Sequence, residues 1–221
     1  MKHHVAFDLA FTRNTYGGKY YSFEGIDGSG KTTQAKLLAE YFQKQGKEVV
    51  WTKEPTDGEV GQLIRKILRK ELVVPPLSLQ YLFCADRAIH LQEVVIPALK
   101  EGKIVISDRS LWSSIAYGMT DLGLPDNERE RLLITYNLLS LYGGYLIADT
   151  TFLLRLPYDV AVSRIDTRGK EKSLYEISEK LKGIEKAYEW MGREFPDAIT
   201  IVEGDHHHSP EQIHEKVIAL L

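Results

Sequence analysis

Short runs of β-branched and aromatic residues alternate with longer stretches of helical period along this chain. The runs at 19–23 (KYYSF), 48–52 (EVVWT), 103–107 (KIVIS), 150–156 (TTFLLRL) and 198–202 (AITIV) are brief, apolar and closed by Gly, Pro, Asp or Glu, and each predicts a buried strand. Helical patterns cover 32–45, 60–70, 77–100, 127–142, 158–164, 174–193 and 210–221, several of them ending at glycine. Strand and helix in alternation predict an α/β fold, a doubly wound five-stranded parallel sheet flanked by helices. Such sheets bind ligands beyond the carboxyl ends of their strands, so the site is expected where strands give way to loops.

Composition narrows the picture. A chain of 221 residues with 43% hydrophobic content suits one core and therefore one main domain. A formal charge of −3 provides no general basic field, which argues against nucleic acid or an anionic membrane as partner; any basic site must be local. The single cysteine, Cys84, forms no internal disulfide and fits a reducing, cytoplasmic setting, with a small buried apolar role as its plain reading. No apolar run approaches the roughly 18 residues of a membrane span, and the first 18 residues lack a signal-peptide core.

The chemistry begins at FEGIDGSGKTTQ, residues 23–34, directly after the first strand. Gly25, Gly30, Lys31 and Thr32 satisfy GxxxxGK[ST], with a strand before and a helix after. That context suits a phosphate cradle: glycines let backbone N–H groups wrap the phosphates, and the helix N-terminus adds partial positive charge. The segment Gly25, Asp27, Gly28, Ser29, Gly30, Lys31, Thr32 and Thr33 is thus the expected loop for a nucleoside triphosphate. Lys31 would bridge the β- and γ-phosphates, and Thr32 would help to hold Mg²⁺. The alternative is a plain strand-to-helix turn.

KIVISDR sets Asp108 and Arg109 at the end of a buried strand on the same sheet edge, where a carboxylate meets the metal or its water and an arginine meets a phosphate. Taken alone, such a pair is as readily a surface ion pair. Arg164 and Arg168, in SRIDTRGKEKS, lie in a segment able to close over a transferred phosphate, or in a solvated loop. Arg65 by itself reads as a surface arginine.

From about residue 19 onward the chain resembles the thymidylate kinase family of P-loop nucleoside monophosphate kinases. Five stretches carry the likeness in order: FEGIDGSGKTTQ, TKEPTDGEVGQLIRKIL, LFCADRAIHLQEVVIPAL, VISDRSLWSSIAYG and RIDTRG. The resemblance implies a P-loop NTPase fold, ATP with Mg²⁺ as phosphoryl donor, dTMP as acceptor, dTDP as product and a homodimer. It implies that Asp27 contacts the acceptor 3′-hydroxyl, that Glu54 and Pro55 line the acceptor site, and that Arg65 holds the acceptor phosphate. Phe83 matches the ring that stacks on thymine and Arg87 the arginine on the base, with Ser114 a further candidate for base choice. Asp108 and Arg109 match the pair at the metal and acceptor phosphate, and Tyr117 the ring that disfavours a 2′-hydroxyl. Arg164 and Arg168 match a mobile lid near 164–174. Gly28 stands where one branch of the family has an arginine, which assigns the catalytic arginines to the lid.

The chain also departs from the family. Ser110 follows Asp-Arg where Tyr or His is usual, as in deoxyribonucleoside kinases, and Gly118 replaces a common glutamine. Residues 147–149 replace a Pro-Asp, Asp166 sits between the lid arginines, and residues 1–18 form an extension of unknown role before the 19–221 domain. These differences keep two alternatives open: a deoxynucleotide or deoxynucleoside kinase of broader range, and a noncatalytic ATP-binding homologue. His206, His207 and His208 read as a solvated loop, since consecutive side chains diverge, and His90 as structural or near the acceptor rather than a general base.

Overall fold

A computed structural model describes residues 11–123, 127–167, 169, 173–205 and 207–221. Among them run five strands: β1 (Lys19–Glu24), β2 (Val49–Lys53), β3 (Ile104–Asp108), β4 (Thr150–Arg155) and β5 (Thr200–Glu203). All four pairings are parallel, in the order β2-β3-β1-β4-β5. The first strand thus lies at the centre and the chain crosses to either side of it, which makes the carboxyl end of β1 the switch point where such sheets bind ligands. The expected doubly wound fold is present, with strand ends displaced by one or two residues from those predicted.

Side-chain alternation explains the layering. Phe23, Ile104, Ile106 and Phe152 face one side, where they pack with Ala35 and Leu38 of α1 (Lys31–Lys44) and Val217 of α9 (Pro210–Ile218). Tyr20 and Val105 face the other side, against Leu91, Val95 and Leu99. The largest cluster lies beyond β4, where α5 (Leu111–Asp121), α6 (Glu128–Leu139), α7 (Tyr158–Thr167) and α8 (Ser178–Glu194) bury Trp112, Ile115, Ile184 and Met191 among others. The remaining helices are α2 (Glu59–Leu68), α3 (Pro76–His90) and α4 (Ile96–Lys100).

Two differences from the predicted elements have physical causes. Helix α5 is absent from the expectation because Leu111 to Met119 are buried on every side, so no polar stripe marks the helical period. The single helix expected over 77–100 is divided by a π-helical turn at Leu91–Val95, just before Pro97, which has no N–H to give. The segment 11–18 is docked on the sheet. Thr12 bridges Leu146 in parallel, and the Asn14 amide donates to Asp149 Oδ2 at 2.8 Å and to the Gly18 carbonyl at 3.0 Å.

Candidate active site

The loop between β1 and α1 turns on glycines in the left-handed region. At Gly28, φ is 87° and a Cβ would come within 2.9 Å of the Ala161 carbonyl, so the loop passes α7 too closely for any side chain. Helix α1 begins without a side-chain cap. Its first N–H groups therefore remain available to an anion, as the cradle requires. Lys31 is buried, its ammonium donating to the Ile26 carbonyl at 2.7 Å. Burial and the charge of Arg109 push that ammonium down to about 8.

Thr32 donates its hydroxyl to Asp108 Oδ2, while Asp108 Oδ1 is buried and has no hydrogen-bond partner among the described residues. A buried carboxylate oxygen left without a donor, beside a hydroxyl at the mouth of a phosphate loop, is the hard-oxygen set that Mg²⁺ prefers. The residues therefore fit the ion.

Beside this floor opens a cleft of about 200 Å³. Asp27, Glu54, Pro55, Phe83, Arg87, Arg109, Ser114 and Tyr117, all picked out in the sequence, line it together. Arg109 sits at φ 82°, a conformation that a side-chain-bearing residue adopts only under constraint, and such positions cluster at functional sites. Its backbone N–H donates to the Phe23 carbonyl at 2.9 Å. Its guanidinium reaches Asp27 and, at 3.0 Å, the Ser113 hydroxyl, and lies 5.1 Å from the Tyr117 ring centre. Tyr117 in turn donates to Asp27 at 3.2 Å.

On the opposite wall, Arg87 and Glu54 form a buried ion pair, with Arg87 Nε donating to Glu54 Oε2 at 2.9 Å. Burial alone would push the Glu54 carboxyl up; Arg87 and His90 outweigh it and bring the group down to about 2. Arg87 also donates to the Ser114 hydroxyl at 3.0 Å and the Ser110 carbonyl at 2.8 Å.

Not every expected residue meets the cleft. Arg65 is not among its lining; its guanidinium donates to the Thr56 carbonyl and, at 2.5 Å, to that of Pro55, and pairs with Asp57 at 3.0 Å. Arg164, near the end of α7, reaches over the phosphate loop, donating to the Gly28 carbonyl at 3.4 Å and that of Asp205 at 3.1 Å. Arg168 lies outside the described residues, as do residues 170–172 of the expected lid.

The structure also brings in residues that sequence reasoning missed. Leu68, Ser113, Ser173, Tyr175 and Glu176 complete the lining, and the Tyr175 ring meets Tyr117 edge-on at 4.7 Å. Glu24, buried at the end of β1, accepts from the Ser110 N–H at 2.7 Å, the Ser110 hydroxyl at 2.8 Å, the Ser113 hydroxyl at 2.5 Å and Tyr188 at 2.7 Å. This carboxylate also faces the N-terminus of α5, where negative charge is favoured. Ser110 therefore turns inward and is not part of the lining. Gly118 is likewise not part of the lining, packed where a Cβ would meet Leu138 at 2.9 Å and Gln80 at 3.0 Å. The one visible signal for Glu24 was its place in FEGIDG, immediately before the loop.

Comparison with known proteins agrees with this fold. Residues 23–217 match the family model described as thymidylate kinase. A probable thymidylate kinase of Pyrococcus horikoshii is 41% identical over 209 residues, covering 92% of this chain and 96% of its own length. A thymidylate kinase of Kosmotoga olearia is 37% identical over 201 residues, covering 90% and 93%. Among solved structures, thymidylate kinase from Ehrlichia chaffeensis superposes with TM-score 0.68 at 28% identity, covering 92% of this chain and 98% of the other. That from Candida albicans superposes with TM-score 0.77 at 23% identity, covering 92% and 90%, and bears on the fold alone.

Proposed function

The chain belongs to the thymidylate kinase family and passes the γ-phosphoryl group of ATP to dTMP, giving ADP and dTDP; we propose that the walls of its cleft divide the work as follows. The phosphate loop from Gly25 to Thr33 and Lys31 take the donor, Lys31 meeting the β- and γ-phosphates. Phe83 stacks on the acceptor base, Arg87 and Ser114 face its polar edge, and Tyr117 and Asp27 take the sugar. Arg109 holds the acceptor phosphate, and Arg164 and Arg168 add positive charge around the transferred group. The turn at Glu54 and Pro55 forms the acceptor wall, and Arg65, donating into it, shapes it.

The acceptor phosphate brings its own nucleophilic oxygen, so no general base is needed and the load falls on alignment and charge neutralisation. Thr32 and Asp108 are the residues that would hold Mg²⁺, which when bound supplies charge neutralisation on the β- and γ-phosphates. The buried, unpartnered Asp108 Oδ1 supports this assignment. The same reading takes the chain as a homodimer, supported by Leu77, Tyr81 and Ile89, which α3 leaves exposed at four- and eight-residue spacing. The single cysteine supports a cytoplasmic location, and among the described residues no helix is long and apolar enough to cross a membrane.

One observation carries the reading: a phosphate loop, its lysine and the Asp108–Arg109 pair stand beside a cleft walled by Phe83 and Arg87. The inward turn of Ser110 and the packing of Gly118 support a strict acceptor choice. The test is coupled ADP release with Mg·ATP against dTMP, dUMP, thymidine, dCMP, dGMP and dAMP. A strong preference for dTMP is expected. Equal turnover of thymidine would return Ser110 to the acceptor pocket, and no turnover of any acceptor despite ATP binding would make the chain a binding protein.

A further inference from the structure

Behind the cleft, outside its lining, a buried imidazole closes a chain of hydrogen bonds that ends on Arg87. His90, at the end of α3, is 2% exposed. Its Nδ1 lies 2.8 Å from Glu54 Oε1, and its Nε2 lies 2.7 Å from the Thr52 hydroxyl on β2. The other carboxylate oxygen of Glu54, Oε2, takes both Nε and Nη2 of Arg87. That leaves Arg87 Nη1 to Ser114, at the cleft wall.

The direction at Glu54 follows from elementary chemistry. Glu54 is held ionised beside Arg87, and a carboxylate only accepts, so the ring nitrogen facing it carries the proton. The other ring nitrogen, Nε2, pairs with the Thr52 hydroxyl. The relay therefore joins Thr52, His90 and Glu54, with Arg87 donating into the same carboxylate from the other side. His90 claims Oε1 and so leaves Arg87 only Oε2. Without it, both oxygens would be open to the guanidinium fork, and the arginine would settle in a different rotation with Nη1 turned from Ser114.

We propose that His90 is a positioning residue for the acceptor base: by locking Glu54 it fixes the rotation of Arg87, and thereby sharpens the choice among pyrimidines. The inference rests on the reading of Arg87 as the base-facing arginine. A fixed N–H donor favours the 4-carbonyl of thymine, an acceptor, over the 4-amino group of cytosine, a donor. A donor free to rotate loses that discrimination.

The test compares His90→Ala, His90→Asn and His90→Gln in steady-state turnover of dTMP and dCMP with Mg·ATP, alongside calorimetric titration of dTMP. Asparagine places an amide N–H close to the position of Nδ1, whereas glutamine extends it toward Nε2. His90→Ala is expected to raise the KM and Kd for dTMP about tenfold, as for loss of a hydrogen bond to a buried charge, with the KM for ATP unmoved. Its preference for dTMP over dCMP should shrink. His90→Asn should recover the wild-type values and His90→Gln should resemble His90→Ala. Should the alanine variant fail to fold, the asparagine and glutamine pair decides. Equal behaviour of that pair, a parallel rise in both substrates' KM, or lower melting temperatures with unchanged base preference would each overturn the proposal. A wild-type protein inactive on dTMP would instead bring down the functional reading, and this inference with it.

Discussion

At the scale of single residues, Lys31 carries the most unusual electrostatics in the phosphate loop. A lysine ordinarily holds its proton to well above physiological pH, yet here burial and Arg109 bring it down to about 8. The free protein therefore begins to lose this charge just above neutrality. An incoming triphosphate reverses the balance, because its negative charge favours the ammonium and raises its pKa. Binding must then draw a proton from solution wherever free Lys31 is neutral and bound Lys31 is charged, that is, above about pH 8. ATP binding at pH 9, titrated in buffers of differing ionisation enthalpy, is expected to take up about one proton per nucleotide. The uptake should fade toward pH 7 and be absent in Lys31→Met. Equal uptake by that variant would show that another group titrates. The sequence made this lysine legible through its motif, but its burial and its closeness to Arg109 depend on how β1 and β3 are paired.

At the scale of elements, the contact between α3 and α5 holds two buried polar atoms with nothing to bind. Gln80 is fully buried, and neither its amide nitrogen nor its oxygen has a partner among the described residues. It packs over Gly118, whose missing side chain leaves the room it occupies. Unpaired buried amides cost stability, and methionine has nearly the same length without the polar atoms. Gln80→Met is thus expected to raise unfolding free energy by about 1–2 kcal/mol, read from denaturant midpoints. A lower midpoint would mean that the amide is satisfied in solution. The same contact shows where sequence reading reached its limit. Short apolar runs between Gly and Asp gave all five strands, and the phosphate loop announced itself. Helix α5 did not, because a helix buried on every side carries no polar stripe. Glu24, Ser113 and Tyr188 meet only after α5 and α8 have packed, and Ser110 looked like an acceptor-site variant until its hydroxyl was seen to serve Glu24. Arg65 had the expected position along the chain, but the turn at 54–57 claims its guanidinium.

At the scale of the whole molecule, the parallel sheet separates stability from chemistry. The cleft and phosphate loop lie at the carboxyl ends of β1 and β3, while the segment 11–18 is docked at the amino ends of β1 and β4. A six-residue strand spans roughly 20 Å, so the two edges share the core but no direct contact. Asn14 is the tie at the far edge. Its amide holds Asp149 and the Gly18 carbonyl, its oxygen accepts from the Tyr16 N–H at 3.0 Å, and Asp149 also receives the Tyr20 N–H at 2.8 Å. Asn14→Ala removes three of these bonds while Tyr20 keeps its own, and the expected loss is about 1 kcal/mol, or a melting temperature lower by about 2–4 °C for a domain of this size. Because the three bonds that Asn14 makes end at Asp149, Gly18 and Tyr16, all at this far edge, kcat and both KM values should match the wild type at temperatures below the transition. Calorimetry and the ADP-release assay on the same preparation check both halves. A shifted KM for dTMP would mean that the two edges are coupled through β1, and the extension would then belong to the function of the molecule rather than to its anchorage.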